Sequence, residues 1–520
     1  MSADESGGLG QRLARNTLHA ATGRLAAVLV WVLFTPPILR ALGAEGFAVW
    51  ALFFALTGYF AALDFGFVQG TLRHVAAARE RGAHDEAGAF VTLGMLGFLS
   101  LGIVWMALAV LLRASLLAWL HIPASQSAAA GFAILAGALV FTFAGCANVV
   151  LATFQGYDRF GLANLVSLLV TLQQAVGILV VLRRGWGLWG LVANVGVGWV
   201  FGFLLALVML ARMVPEFRWR GARSSLVHAR EALAFGGPMQ LASLMAVVHA
   251  QADKFLLPVF VTLAAVTPYE LGSRVLGSVM TFPQLLLLAM LPAAAALHAA
   301  GESGQLRKLY QRGDRYVLTV AAVALAVLIG SADRLCATWL GPGHADAALV
   351  LRGLSLAAGF VLATGMASVT ARAVGRTDLE AWFGGISVVL HVVLSVLLLP
   401  RLGLRGTLVA VFVANLVGSS IFLLMVGRVL RWSAWDMLVR PHGVPLLATL
   451  AGVAVGVGLD RLLLAPGGFV AWMLLAVVAA AAGLVALGVA VATGYLRWRE
   501  VRALLAPAPR RVGEPAESAP

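Results

Sequence analysis

Apolar residues in this chain come in long unbroken runs, without the strict alternation of a strand. A run of roughly 20 apolar residues is long enough to cross the hydrocarbon core of a bilayer as a helix. The runs predict fourteen membrane helices, at about 18–41, 46–72, 88–112, 128–153, 160–182, 187–211, 232–258, 264–299, 316–333, 348–371, 380–399, 404–427, 443–463 and 468–496. Only helices and closed barrels satisfy every backbone group in lipid, and a barrel needs short alternating strands. The expected fold class is therefore an all-α integral membrane protein. The longest polar connections, near 212–231 and 300–315, are too short for a soluble domain. Any site must be built from the helices themselves.

The segment FQGYDRFGLANLVSLLVTLQQAVGILVVLRRGWGLWGLVAN resembles a later one, AVGRTDLEAWFGGISVVLHVVLSVLLLPRLGLRGTLVAVFVAN. Gly156 pairs with Gly375, and Gly187-Leu-Trp-Gly190 with Gly403-Leu-Arg-Gly406. This spacing carries helix 1 onto helix 7 and helix 2 onto helix 8. Six helices per repeat is an even number, so the halves share one orientation about an axis along the membrane normal. The expected organisation is an N-terminal segment 1–17, a six-helix lobe 18–211, a linker 212–231 and a second six-helix lobe 232–430. Helices 13 and 14 (431–498) and a polar tail 499–520, rich in Pro and Arg, follow. The tail reads as disordered by composition.

Against this apolar background the interior charges stand out. A charge at membrane depth costs roughly 2.5–3.5 kcal/mol on insertion scales, so it needs a partner, a wet cavity or a task. Arg24 falls in helix 1 and Asp64 in helix 2, with Arg73 closing the inner end of helix 2. Asp253 and Lys254 fall in helix 7, Glu270 and Arg274 in helix 8. The interior charges are thus expected only on the first two helices of each repeat, apart from the titratable His391 in helix 11. Asp253 to Arg274 should lie toward the outer side, and Arg24, Asp64 and Arg73 toward the cytoplasm.

Each of these residues also has a plainer reading. Glu270 and Arg274, spaced i, i+4 with the acid first, can neutralise each other on one helix. Lys254 and Arg24 can snorkel to an interface, and Arg73 can be an ordinary loop cation. Asp64 is too short to snorkel far. His249, Gln251, His298 and His391 read as hydrogen-bonded packing residues, as do Asn148, Asn164, Asn194 and Asn415. Pro238, Pro283 and Pro292 are expected to kink helices 7 and 8.

Composition sharpens rather than changes this picture. Of the 520 residues 61% are hydrophobic and 12% charged, about half the charged share of a soluble domain. The net charge of +14 would point to nucleic acid in a soluble protein, but no nucleic-acid-binding motif is present. Of 37 Lys and Arg, 25 fall in alternate loops and tails assigned to the inside, 9 in the outer loops and 3 within spans. By the positive-inside rule both termini are expected in the cytoplasm, and the N-terminus is a membrane helix, not a cleaved signal. Cys146 and Cys336 suggest neither a disulfide framework nor a metal site. There is no GxxxxGK[ST] loop, no HExxH and no Cys/His cluster, so no cofactor, metal or catalytic group is expected.

The run from Asn16 through Pro36-Pro37 to LRALGAEGFAVWALFFALTGYFAALDFGFVQGTLRHVA resembles the Wzx-type polysaccharide flippases of the wider superfamily that includes the MATE exporters. FGGPMQLASLMAVVHAQADKFLLP, Tyr269 to Arg274 and FPQLLLLAMLPAAAA fit as well, so the resemblance covers residues 12–430. It implies a bacterial inner-membrane transporter moving undecaprenyl-pyrophosphate-linked oligosaccharide to the outer leaflet, working beside a polysaccharide polymerase and other assembly proteins. It also implies two lobes around a cavity lined by helices 1, 2, 7 and 8. Arg24, Arg73, Lys254 and Arg274 would then attract the pyrophosphate, while Asp64, Asp253 and Glu270 hold these cations or bind a coupling proton or sodium ion. The carboxylates depart from a purely cationic cavity. A MATE-like cation or drug exporter, and a membrane-embedded polymerase or glycosyltransferase, are the alternatives.

Overall fold

The computed structural model describes residues 3–221, 229–463 and 468–496, with the side chains of 28–221, 244–284, 286–463 and 468–496. All regular structure among them is helical. In chain order the helices are α1 (Ala3–Ala62), α2 (Phe67–Glu80), α3 (His84–Trp119), α4 (Ala124–Gly156), α5 (Phe160–Arg184) and α6 (Gly187–Met213). Then follow α7 (Ala229–Phe260), a single 3-10 turn Leu263–Ala265, α8 (Val266–Ala299), α9 (Ser303–Gly330) and α10 (Ala332–Leu340). The last are α11 (Ala345–Ala363), α12 (Gly365–Ala373), α13 (Asp378–Leu402), α14 (Leu404–Leu430), α15 (Ala434–Leu438), α16 (Gly443–Leu462) and α17 (Phe469–Ala492). Among the described residues, 12 helical segments are long and apolar enough to cross a membrane, so this is a multi-pass membrane protein.

That count differs from the expected fourteen for two visible reasons. Helices 1 and 2 run together as α1, broken only at Gly43 (φ 68, ψ 179), a backbone setting open essentially to glycine alone. The 12 segments also do not include α7. Helix 2 is shorter than the apolar run suggested. It ends at Ala62, and after the positive-φ pair Phe65 and Gly66 an amphipathic α2 begins. The Pro residues expected to kink helix 8 do not end it, since α8 runs on through Pro283 and Pro292. Pro238, the 1–17 segment and the 499–520 tail lie outside the described side chains.

The chain divides into two compact units, Met1–Leu271 with Val388–Ala410, and Gly272–Ser387 with Val411–Pro520. The first unit has a core of Phe60, Val75, Phe98, Phe141, Val150, Phe154 and Leu210, drawn from α1 to α6. The start of the 212–231 linker is strapped onto α3, where Arg220 pairs with Asp85 at 2.8 Å and its carbonyl accepts from Thr92 at 2.9 Å. The two glycines matched in the sequence repeat share a backbone setting, φ 54 at Gly187 and φ 56 at Gly403. Their companions Gly190 and Gly406 each face a close neighbour, so both turns exclude a side chain in the same place.

The second unit has a core around Tyr310, Met366, Leu379, Phe422, Val426 and Met437. Here α16 and α17 pack against α9 through small residues, with Ala322, Ala326, Ala448 and Ala486 fully buried and Gly330 against Gly456. Close backbone approach of this kind is how helices gain contact in lipid, where no hydrophobic drive separates them from the tails. Arg334 of α10, also buried, reinforces the seam. It donates to Asp460 Oδ1 at 2.5 Å, to the Asp460 carbonyl at 3.0 Å and to the Leu463 carbonyl at 2.8 Å.

Candidate functional site

The turn after α7 sets up the site. Thr262 caps the 3-10 turn by accepting from the Ala265 amide, and the chain reverses into α8 within five residues. Asp253 and Lys254 on α7 thereby meet Tyr269 and Glu270 on α8 as two rungs. In the first, Tyr269 donates its hydroxyl to Asp253 Oδ2 at 2.5 Å. In the second, Lys254 Nζ lies 2.5 Å from Glu270 Oε2. All four residues are buried, Asp253 and Glu270 to 1% exposure. Lys254 and Glu270 compensate each other at this level of burial, while Asp253 is held by hydrogen bonds.

A third helix completes the arrangement. His391 and Ser395 on α13 are spaced i, i+4 and so share a face. His391 Nε2 lies 3.0 Å from both Asp253 oxygens, and Ser395 Oγ donates to Oδ1 at 3.3 Å. Both residues are fully buried. The His249 ring lies edge-on to His391, 5.0 Å between centroids. Asp253 therefore sits at the centre of a buried hydroxyl–imidazole–hydroxyl cradle. His391 was expected only as a packing residue, and Ser395 was not singled out. The signal in the sequence was their i, i+4 spacing on an otherwise apolar helix, but the carboxylate they serve is well over 100 residues away.

The beginning of α8 is also tied to the break in α1. Thr267, buried, donates to the Ala44 carbonyl at 2.6 Å, one residue past Gly43.

The other expected site residues are placed differently. Asp64 sits in the break between α1 and α2, where Oδ1 accepts from the Gly66 amide at 2.9 Å and so closes the turn locally. Arg73 is exposed on α2, and Arg274 is half-buried on α8, one helical turn beyond Glu270. The Arg24 side chain lies outside the described residues. Buried charge is not confined to helices 1, 2, 7 and 8. Asp314 on α9 is 3% exposed and Arg334 on α10 is 6% exposed, both in stretches read as polar connections. Their short polar context hid helices that extend well past the apolar run. Among the described residues no cluster of His, Cys, Asp or Glu is arranged to hold a metal.

The family profile described as "Polysaccharide biosynthesis protein" matches residues 39–349. The chain belongs to that family. No curated protein sequence matches it. Among solved structures, this family member resembles an inward-facing multidrug-resistance MATE transporter of the MOP superfamily, at 16% identity and TM-score 0.65, over 81% of this chain and 96% of that one. It is similar also to the lipid II flippase MurJ in an inward closed conformation, at 13% identity and TM-score 0.65, over 95% of this chain and 100% of that one. A mutant of the Vibrio cholerae MATE transporter VcmN matches at 18% identity and TM-score 0.56, over 82% and 98%. The polysaccharide biosynthesis protein described here thus has the MATE-like fold. The Asp253 cradle, the Lys254–Glu270 pair and the Thr267 tie all fall within the matched 39–349 region or pair with it from α13.

Proposed function

We propose that this chain is a flippase of the bacterial inner membrane. It moves undecaprenyl-pyrophosphate-linked oligosaccharide repeat units from the cytoplasmic to the outer leaflet by alternating access, for cell-surface polysaccharide assembly. The observation that carries this reading is the family membership, together with a fold likeness that spans the whole of a lipid-linked-substrate flippase and 95% of this chain. The MATE transporter likeness spans 81% of the chain. The two six-helix lobes at 18–211 and 232–430 would be the moving bodies, with both termini cytoplasmic.

Arg24, Arg73 and Arg274 are the cations we assign to the pyrophosphate and to anionic sugars, because the guanidinium fork matches phosphate oxygens two at a time. Lys254 joins them only in a state where its Glu270 pair opens. Asp64 orders the turn at the inner end of helix 2, and Asp253 and Glu270 are the carboxylates available for ion coupling. Substrate phosphate would pass from the cytoplasmic set to the outer one.

Deleting the protein tests the reading. Completed lipid-linked repeat units should accumulate on the cytoplasmic face. Completed units outside would instead mark a polymerase, incomplete units a glycosyltransferase, and a change in drug efflux with no change in surface polysaccharide a cation exporter.

A further inference from the structure

The coupling ion is not fixed by the transporter reading, and the Asp253 cradle bears on it. Every described partner of the Asp253 carboxylate is a hydrogen-bearing group, namely Tyr269 Oη, Ser395 Oγ and His391 Nε2. The cation next to it in sequence, Lys254, is engaged with Glu270. A buried carboxylate whose partners are all neutral carries an uncompensated charge, one of the costliest things to hold in a dry interior. Among the described partners His391 is the one able to become a cation beside it, by taking a second ring proton. The imidazole stands before both carboxylate oxygens, 3.0 Å from each, and so occupies the bidentate position.

We propose that Asp253 and His391 form a proton-binding site that loads and releases one proton as a unit, with Tyr269 and Ser395 positioning the carboxylate. His391 Nε2 faces the carboxylate, so the proton enters through Nδ1, which is buried and has no hydrogen-bond partner among the described residues. The loaded site is a neutral ion pair; the unloaded one is a bare buried anion, and that difference can bias two conformations. The titratable groups around the pair are His249 and Lys254 from α7, Tyr269 and Glu270 from α8, and Tyr59 from α1, whose ring packs edge-on against Phe255 of α7. Proton binding stands on this geometry alone; only its use in driving translocation rests on the flippase reading.

The test is 15N-histidine NMR on the purified full-length protein in lipid nanodiscs, with His391→Gln assigning the resonance. The expected result is an imidazolium at His391 at neutral pH that becomes neutral imidazole there in Asp253→Asn. A neutral His391 across about pH 5–8 overturns the site, as does a signal that ignores the Asp253 change. Should Asp253→Asn not fold, the wild-type spectrum still decides. Coupling is read separately, as outer-leaflet delivery of lipid-linked repeat units in membrane vesicles. Collapse of the pH gradient should abolish delivery and sodium removal should not, and His391→Gln should lower it roughly ten-fold, a usual size for coupling between sites. Delivery that needs sodium and ignores the pH gradient overturns the coupling. Failure of the flippase reading would leave the histidine titration standing.

Discussion

Lys254 and Glu270, 16 residues apart on consecutive helices, form an ion pair of 2.5 Å with side chains 8% and 1% exposed. Removing one member breaks a buried ion pair, so Glu270→Gln and Lys254→Met should each destabilise the protein by about 3–5 kcal/mol. The double change to Met at both positions should recover most of that loss. Thermal unfolding in detergent, followed by tryptophan fluorescence, measures it. Additive losses in the double variant would show that the pair is not a coupled unit.

Tyr269→Phe removes one hydrogen from the Asp253 carboxylate without changing the packing volume. Oδ2 keeps its His391 contact, so the loss should be that of one hydrogen bond to a charged group, about 1.5–3 kcal/mol. The same unfolding assay reads this, and Ser395→Ala, losing the longer 3.3 Å bond, should cost less.

Gly43 has open space around it, yet its φ of 68 with ψ near 180 excludes side chains. Gly43→Ala should therefore cost about 1–3 kcal/mol from backbone strain alone. Thr267→Val, which frees the Ala44 carbonyl beside the same break, should cost about 1 kcal/mol. Equal stability of Gly43→Ala and wild type would mean that α1 straightens without penalty.

The three bonds from Arg334 hold α10 to the end of α16. Arg334→Leu strands Asp460, which is 19% exposed, so the loss should fall somewhat below the roughly 3–5 kcal/mol of a fully buried pair. Arg334→Lys should not restore stability, because an ammonium cannot span the carboxylate and two carbonyls as a planar fork does. Limited proteolysis between residues 430 and 470 would report loosening of the C-terminal helices.

On the flippase reading, Arg274→Ala and Arg73→Ala should lower outer-leaflet delivery without lowering stability. Loss of a charge-assisted phosphate contact is worth about 1.5–3 kcal/mol, or roughly ten- to a hundred-fold. Surface polysaccharide quantified at matched protein levels gives the comparison, and unchanged delivery in both variants removes these cations from the substrate path.

The all-helical membrane fold was legible in the chain because lipid allows so few solutions: an apolar run of spanning length must be a helix, whatever its neighbours are. The Gly187 and Gly403 turns and the charges of α7 and α8 were legible for the same local reason, since turn chemistry and charge are properties of a few adjacent residues. What the sequence by itself did not determine was who meets whom. Glu270 has a local candidate partner in Arg274 at i, i+4, but nothing local marks Lys254, which the fold lays against it across the turn at Thr262. His391 looked like an isolated packing histidine, and only the return of α13 beside α7 sets its ring before Asp253. Asp314 and Arg334 read as loop residues until their helices closed over them. Burial and pairing are decided by contacts between segments distant in the chain, and a single sequence carries no direct record of those contacts.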